Sequence, residues 1–413
     1  MIEEMKFDAL MTNILLVIYR MGRSVRPVEI DYELKIGPRL FPTLRKMEEK
    51  KLIEQTAKRK KFSAYGLTGT GLNIARQLSP DYAETGNLEK ARDDLMMLFF
   101  DSYIKEKYGR PDKIERIKNA LKVRSELQKQ ASDFLRHKGF VEVPPVIISP
   151  ITDPLRRLTQ EAVIDYYGTN YRLTQSMIFH KQIAICSLEK IFSFSPNVRL
   201  ESPDLAETGR HLVEFTQLDL ECRGASRSDM IRLGEQLLIH VLDRVKHRCK
   251  KELEFFNREL PIPRMRLEQF EYREEKEKYK AEGSDFVTIL SHEKTEPFWI
   301  IDFPIESREF YDKEDPMHQG TLVDMDLILP NGFGEVLSGG EREYTYDRLL
   351  KRLRGSHLRP AEYKLYLLFA QRGLQPSAGF GLGIERLLRY ICGLRQIDET
   401  TFFAKLPGEK FSL

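Results

Sequence analysis

The 413-residue sequence predicts an α/β (α+β) chain. A long C-terminal section carries an antiparallel sheet flanked by helices, and a small helical unit ending in a hairpin precedes it. Three observations predict the sheet. EFTQLDLEC alternates, with Phe215, Gln217, Asp219 and Glu221 on one face and Thr216, Leu218, Leu220 and Cys222 on the other. MDLILPNGFGEVLSGG places two strand-like runs around an Asn-Gly turn. PSAGFGLGIERLLRYICG is a glycine-alternating strand that runs into a helix.

Composition sets the outer limits. Apolar residues make up 41% and charged residues 31%, which suits a globular chain of two or three domains. There is no run of 18 apolar residues, so no membrane span is expected. The start, MIEEMKFDAL, lacks a secretory pattern, and a cytoplasmic location follows as the expectation. Cys186, Cys222, Cys249 and Cys392 show no C-x-x-C spacing, which predicts free thiols rather than a zinc site or disulfides. A net charge of +3 does not mark a nucleic-acid binder, but Lys58, Arg59, Lys60 and Lys61 form a local basic cluster.

The elements divide the chain into residues 1–80, a helical linker or dimerisation segment at 81–114, and a catalytic domain at 115–413. In the first part, FDALMTNILLVIYRMG has helical periodicity and Gly22 ends it. PVEIDYEL fits a second helix, with Pro27 in its first turn. LFPTLRKMEEKKLI fits a third, with Leu40, Leu44, Met47 and Leu52 as its buried stripe and Pro42 confined to the first turn. A hairpin with the basic cluster at its tip follows, then a helix from Gly69. Three helices and a basic two-stranded wing make a winged-helix pattern, and RLFPTLRKMEEKKLI…YGLTGTG resembles PadR-type regulators. Arg39, Arg45 and Lys46 would face a DNA major groove, and Lys58, Arg59, Lys60 and Lys61 would meet phosphates. A protein-contact role with a solvated charged face is the competing reading. In 81–114, the apolar cluster Leu95–Phe100 needs cover, from the catalytic section or from a second subunit.

Three separated segments carry the chemistry. VRLES and EFTQLDLEC, joined by a loop, would put Arg199, Glu201, Phe215 and Asp219 on one polar surface. Asp326 and Glu335 flank the Asn-Gly turn and suit Mg²⁺ shared with phosphates. Arg342, after Gly339-Gly340, is a fork matched to a carboxylate. Gly379, Gly381 and Gly383 leave a strand face open to a flat ligand, and Arg386 lies in the first turn of the next helix. No G-K-[ST] follows the glycines, so this is not a phosphate-binding loop of the Walker type.

The order of these segments resembles motif 2, the strand before motif 3, and motif 3 of class II aminoacyl-tRNA synthetases. GFVEVP at 139–144 resembles their motif 1 junction. RLTQSMIFHKQ, HLVEFTQLDLE and GFGEVLSGGERE resemble the aspartyl/asparaginyl branch, over about residues 115–413. By that resemblance Arg199 would bind the α-phosphate and the reacting carboxylate. Glu201 would bind the adenine amino group, and Phe215 and Arg386 would stack on the two adenine faces. Arg210 and His211 would reach the pyrophosphate, Gly381 and Gly383 would line the ATP site, and Asp326 and Glu335 would hold Mg²⁺. Ser176 and Asp219 would receive an α-ammonium group, and Lys181 with Arg342 a side-chain carboxylate. Two cations at that point select aspartate over asparagine, because an amide leaves them uncompensated, and the asparagine branch typically lacks the lysine.

The branch's anticodon-reading N-terminal β-barrel has no counterpart pattern before residue 115, and Ile178 stands where the aspartyl form has glutamine. SPITDPL, EKIFSFSPNVRLES, EPFWI, REFYD and SGGERE resemble more closely the archaeal asparagine synthetases related to these enzymes. The expectation is an AMP-forming aspartate–ammonia ligase: ATP, Mg²⁺, aspartate and ammonia give asparagine through an aspartyl adenylate. A homodimer is expected through motif 1, with DNA-linked regulation through the winged helix. Two alternatives stand: a regulator that senses aspartate or asparagine through a synthetase-like domain, and an aspartyl/asparaginyl-tRNA synthetase-like ligase.

Overall fold

A computed structural model describes residues 9–21, 23, 25, 27, 30, 34, 40–59, 62–78, 112–155, 160, 162–280, 285–356 and 358–409. The chain divides into two compact units, residues 1–114 and 115–413. Among the described residues no helix is long and apolar enough to cross a membrane.

In the first unit, α1 (Ala9–Met21), α2 (Leu40–Glu49), the hairpin β1 (Ile53–Arg59)–β2 (Phe62–Leu67) and α3 (Gly69–Leu78) follow one another. Leu40, Leu44 and Met47 of α2 and Leu52 beyond it are buried with Ile14, Leu15 and Ile18 of α1. Pro42 falls in the first turn of α2, where its missing N–H breaks no helical bond. Thr68 caps α3 by accepting a hydrogen bond from Gly71 N at 3.1 Å. At Gly71 a Cβ would lie 1.9 Å from Leu52 O, so only glycine lets the helix start this close to the chain entering β1. Arg45 and Lys46 are exposed on α2, and Lys58 and Arg59 end β1. Of the second helix expected at PVEIDYEL, Pro27, Ile30 and Leu34 are described and helical, with Ile30 buried in the same core. The Leu95–Phe100 cluster, Arg39, Lys60 and Lys61 lie outside the described residues.

The second unit is built on an eight-stranded sheet of order β3-β7-β8-β13-β12-β11-β10-β9. Its strands are β3 (Val141–Glu142), β7 (Lys190–Val198), β8 (Glu214–Arg223), β9 (Gln269–Glu271), β10 (Phe298–Ile301), β11 (Asp324–Leu329), β12 (Gly334–Glu341) and β13 (Ser377–Gly383). All neighbours are antiparallel except β3/β7 and β9/β10. A smaller sheet runs β4 (Ile148–Ser149), β6 (Thr169–Leu173), β5 (Val163–Tyr166). Three helices bear on the main sheet's core: α4 (Lys113–His137), α6 (Arg227–Arg248) and α12 (Ile384–Cys392). α5 (Ile178–Ala184) lies between β6 and β7 in sequence, and the shorter helices α7 (Lys250–Phe255), α8 (Tyr272–Lys278), α9 (Phe286–Glu293), α10 (Tyr346–Gly355) and α11 (Lys364–Arg372) fall between α6 and α12. α6 opens with a capping box, Ser226 with Asp229, and buries Leu237, Leu238, Val241 and Leu242. Its Gly234 would place a Cβ 3.0 Å from the Trp299 ring, so the glycine admits the indole, whose Nε1 donates to Glu235 at 3.1 Å.

Two local features set up the functional region. At the β11–β12 turn, Asn331 and Gly332 both have positive φ, 58° and 75°, which the Asn-Gly pair supplies without strain. Between β7 and β8 the chain turns early. β7 stops at Val198, and Glu201 N donates to Arg199 O at 2.8 Å, an i→i+2 turn. The continuous alternation of VRLES therefore gives way to a turn, which Pro203 and the short 3₁₀ segment after it continue.

Candidate active site

An open cleft lies over strands β8, β13 and β12. Arg199, Glu201, Arg210, His211, Phe215, Glu335, Gly381, Gly383 and Arg386 all line it. The sheet brings them together because β13 is inserted between β8 and β12, so three distant segments become neighbours. Gly381 faces the gap between Gln217 and Asp219, and Gly383 sits beside the Arg386 stem. Gly379 does not belong to an open face. A Cβ there would lie 2.2 Å from both Glu221 Oε2 and Leu220 O, so it admits the buried Glu221 instead of a flat ligand.

Three arginines and three glutamates line the cleft. Arg386 Nη1 is 3.0 Å from Glu335 Oε1 and also donates to Glu335 O at 3.2 Å. Arg199 donates from Nε and Nη2 to Gln175 O at 3.2 and 3.1 Å, and its guanidinium lies 5.1 Å from the Phe215 ring centroid. The face of Phe215 thus carries a guanidinium of this chain. Burial pushes His211 down to about 3, with Arg386 and Arg210 adding to it, so the imidazole is neutral at physiological pH. Arg389, one turn after Arg386, is pulled down to about 10 by burial and by Arg210 and Arg386. Three guanidiniums gathered on one cleft, with Arg389 close to two of them, suit a polyphosphate.

Next to the cleft lies a buried ionic cluster. Lys181, 3% exposed, places Nζ 2.7 Å from Asp219 Oδ1 and 4.0 Å from Glu221 Oε2. The surface-lysine alternative at this helical position is excluded by that burial. Arg342 spans Glu221 Oε1 at 3.3 Å, Asp312 Oδ1 at 3.1 Å and Gly379 O at 2.9 Å. Its fork, expected to be open for a carboxylate, is therefore already held by acids of this chain. Ser377 donates to Glu221 Oε1 at 2.8 Å. Asp219 Oδ2 is buried without a hydrogen-bond partner among the described residues. Ser176 is buried just before α5. Both cations are engaged by acids of this chain, Lys181 by Asp219 and Glu221 and Arg342 by Glu221 and Asp312, so a ligand carboxylate here would compete with those acids.

Asp326 and Glu335 lie on the paired strands β11 and β12. Burial raises the Asp326 carboxyl, with Glu335 adding to the rise and Arg308 opposing it. Burial also acts to raise Glu335, but Arg386, Arg308, Arg210 and Arg199 together hold it below the usual range. Asp326 Oδ1 is buried without a hydrogen bond among the described residues. Two hard oxygen donors with one oxygen unengaged fit a Mg²⁺ ion that takes its other ligands from phosphate and water. No larger group of His, Cys, Asp or Glu arranged as a metal site occurs among the described residues.

Several residues of this region carry no assigned role in the sequence reading. Glu221 lies in the visible alternation of β8, but its partner Arg342 is 121 residues away. Asp312 and Arg308 belong to the REFYD string, which resembles the family without declaring a contact. Glu385 accepts from Thr216 N at 2.9 Å and pairs with Arg124 at 2.8 Å, tying α12 and α4 to β8. The four cysteines are free, and Cys222, Cys249 and Cys392 are buried.

Comparison with known proteins gives one consistent answer. Residues 102–407 match the family of class II tRNA synthetases (D, K and N). The asparagine–tRNA ligase of Pyrococcus abyssi is 30% identical over 336 residues, covering 78% of this chain and 74% of the relative. That of Pelotomaculum thermopropionicum is 33% identical over 304 residues, covering 69% and 68%. The crystal structure of the Pyrococcus horikoshii asparaginyl-tRNA synthetase complexed with asparaginyl-adenylate superimposes with a TM-score of 0.68 at 27% identity, covering 85% of this chain and 77% of that one.

Proposed function

Because the chain belongs to the class II tRNA synthetases of the D, K and N group, we propose that it is an AMP-forming ligase that activates aspartate with ATP. The observation that carries this reading is the arginine-lined cleft opening beside the buried Lys181–Asp219–Glu221–Arg342 cluster. In the first step an aspartate carboxylate oxygen attacks the α-phosphorus in line, and pyrophosphate leaves with the electron pair of the broken P–O bond. Arg199 orients the attacking carboxylate and neutralises charge at the α-phosphate, while Arg386 and Arg210 take up charge on the leaving pyrophosphate. Glu201 and Phe215 hold the adenine. Asp219 and Ser176 receive the α-ammonium, and Lys181 and Arg342 face the side-chain carboxylate. Asp326 and Glu335 would hold Mg²⁺, which supplies charge neutralisation between phosphate oxygens.

Two acceptors follow for the adenylate. The relatives are tRNA ligases for asparagine, and their likeness over most of their length supports a tRNA acceptor. The buried Lys181 beside Asp219, a lysine that the asparagine branch typically lacks, supports aspartate as the activated acid, and with it the second reading, in which ammonia attacks the acyl adenylate to give asparagine and AMP. ATP–pyrophosphate exchange with aspartate and with asparagine tests the first step. Exchange with aspartate but not asparagine is expected; exchange with neither overturns the proposal. Assaying aminoacyl-tRNA and free asparagine in parallel then separates the acceptors.

The first unit supports a nucleic-acid contact. Residues 40–78 hold nine Lys or Arg against three Glu. Arg45 and Lys46 are exposed on α2. A duplex-DNA shift assay with Arg45→Ala/Lys46→Ala is expected to lose binding and to flatten its salt dependence. Unchanged binding assigns the charge to a solvated face.

A further inference from the structure

We propose that Arg308 is a positioning residue for divalent-cation binding: it fixes Asp326 so that a single carboxylate oxygen, Oδ1, is left for the ion. The proposal rests on the adenylation reading above.

Arg308 follows a short 3₁₀ turn, Ile305–Ser307, and reaches back to two carboxylates on one face of β11. Its Nε lies 3.0 Å from Asp324 Oδ2, and its Nη2 lies 2.7 Å from Asp326 Oδ2. Nη1 donates to Ser338 Oγ at 3.4 Å, and the guanidinium plane stands 4.0 Å from the Phe303 ring centroid. Both carboxylates are almost fully buried, with side chains 2% and 7% exposed.

The two acids differ in what they have left. Asp324 Oδ1 accepts from Phe303 N at 3.0 Å, so both its oxygens are engaged and it serves to hold Arg308. Asp326 has Oδ2 in an ion pair with the guanidinium and the Ser338 hydroxyl beside its carboxylate, while its Oδ1 meets no hydrogen-bond geometry among the described residues. Asp326 is close enough to Asp324 and to Glu335 for repulsion, which burial strengthens. One guanidinium spanning two carboxylates offsets it and fixes the rotamer of Asp326. A lysine has the charge but not the fork, and cannot hold both acids in the same geometry. Arg308 therefore acts on the ion through Asp326 without touching it.

The test uses the full-length protein, Mn²⁺ as probe, and α,β-methylene-ATP as the non-reacting nucleotide. Bound Mn²⁺ is counted by electron paramagnetic resonance. Arg308→Lys is expected to weaken Mn²⁺ in the nucleotide complex by about 10- to 100-fold. Metal-free nucleotide binding should change by no more than about twofold, since lysine keeps the charge that acts on Glu335 and the groups touching Arg308, Asp324, Asp326, Ser338 and Phe303, do not line the cleft. If Arg308→Lys does not fold, Asp324→Asn carries the test, with a smaller weakening expected because Arg308 loses one of its two anchors. Equal Mn²⁺ affinity in the folded variant and the wild type overturns the proposal, as does equal weakening of Mn²⁺ and metal-free nucleotide. A wild-type protein that binds no Mn²⁺ with the nucleotide overturns the adenylation reading itself, a separate and distinguishable failure.

Discussion

Replacing Lys181 by methionine separates two consequences of the same buried charge. The ammonium is 3% exposed and lies 2.7 Å from Asp219, 4.0 Å from Glu221 and 3.5 Å from Phe380 O. Methionine keeps the stem and removes the charge. Asp219 then loses its cation, and its Oδ2 has no hydrogen-bond partner among the described residues to compensate. Breaking a buried pair from one side costs about 3–5 kcal/mol. At roughly 2 °C per kcal/mol for a unit of this size, the melting point should fall by about 6–10 °C. Catalysis suffers separately. A charge-assisted hydrogen bond to the substrate is worth about 1.5–3 kcal/mol, so KM for aspartate should rise roughly 10- to 150-fold. The affinity for ATP, proposed above to meet the arginines of the cleft, should stay within about threefold. Removing both partners in Lys181→Met/Asp219→Asn should restore most of the lost stability, because no unpaired charge remains. It should not restore exchange with aspartate. Thermal melts, pyrophosphate-exchange kinetics and equilibrium nucleotide binding measure the three quantities. A single variant that melts with the wild type and keeps its KM refutes the reasoning. So does a double variant that recovers aspartate exchange.

Two further outcomes follow from the same geometry. Gly379→Ala should destabilise the second unit by about 1–3 kcal/mol or more, because its Cβ meets Glu221 Oε2 and Leu220 O at 2.2 Å. Gly381→Ala, whose nearest contact is the end of the Gln217 side chain at 3.0 Å, itself held by Asn197 at 2.6 Å, should cost less than Gly379→Ala, fold and weaken nucleotide binding; equal melting points for the two refute this distinction. For His211, depressed to about 3 in the fold against 6.5 unfolded, the folded state binds fewer protons across that interval. Stability should therefore decline as pH falls below about 6.5, and His211→Gln should reduce that decline. The ring-proton resonance of His211 should stay constant from pH 8 to 5, and a midpoint near 6.5 in the folded protein would count against the buried, neutral imidazole.

What the sequence determined by itself was whatever period and order carry. The alternation of β8, the Asn-Gly turn between β11 and β12, and the glycine-rich β13 running into α12 are local patterns with local physical causes. Their order along the chain was enough to point to the family and to collect the cleft-lining residues. Tertiary structure decided which charges meet. Lys181 and Arg342 are cations in any sequence reading. That each is held by Asp219, Glu221 or Asp312 follows from the insertion of β13 between β8 and β12, together with a loop returning from residue 312. The same holds for Gly379 and Gly381, two residues apart on one strand face. One admits a buried glutamate and the other opens on the cleft, because the strand passes from the interior to the rim between them. Arg308 is the extreme case. Its partners lie 16 and 18 residues on and repeat no pattern, and a contact made by a folded-back loop leaves no periodic trace in the chain that makes it.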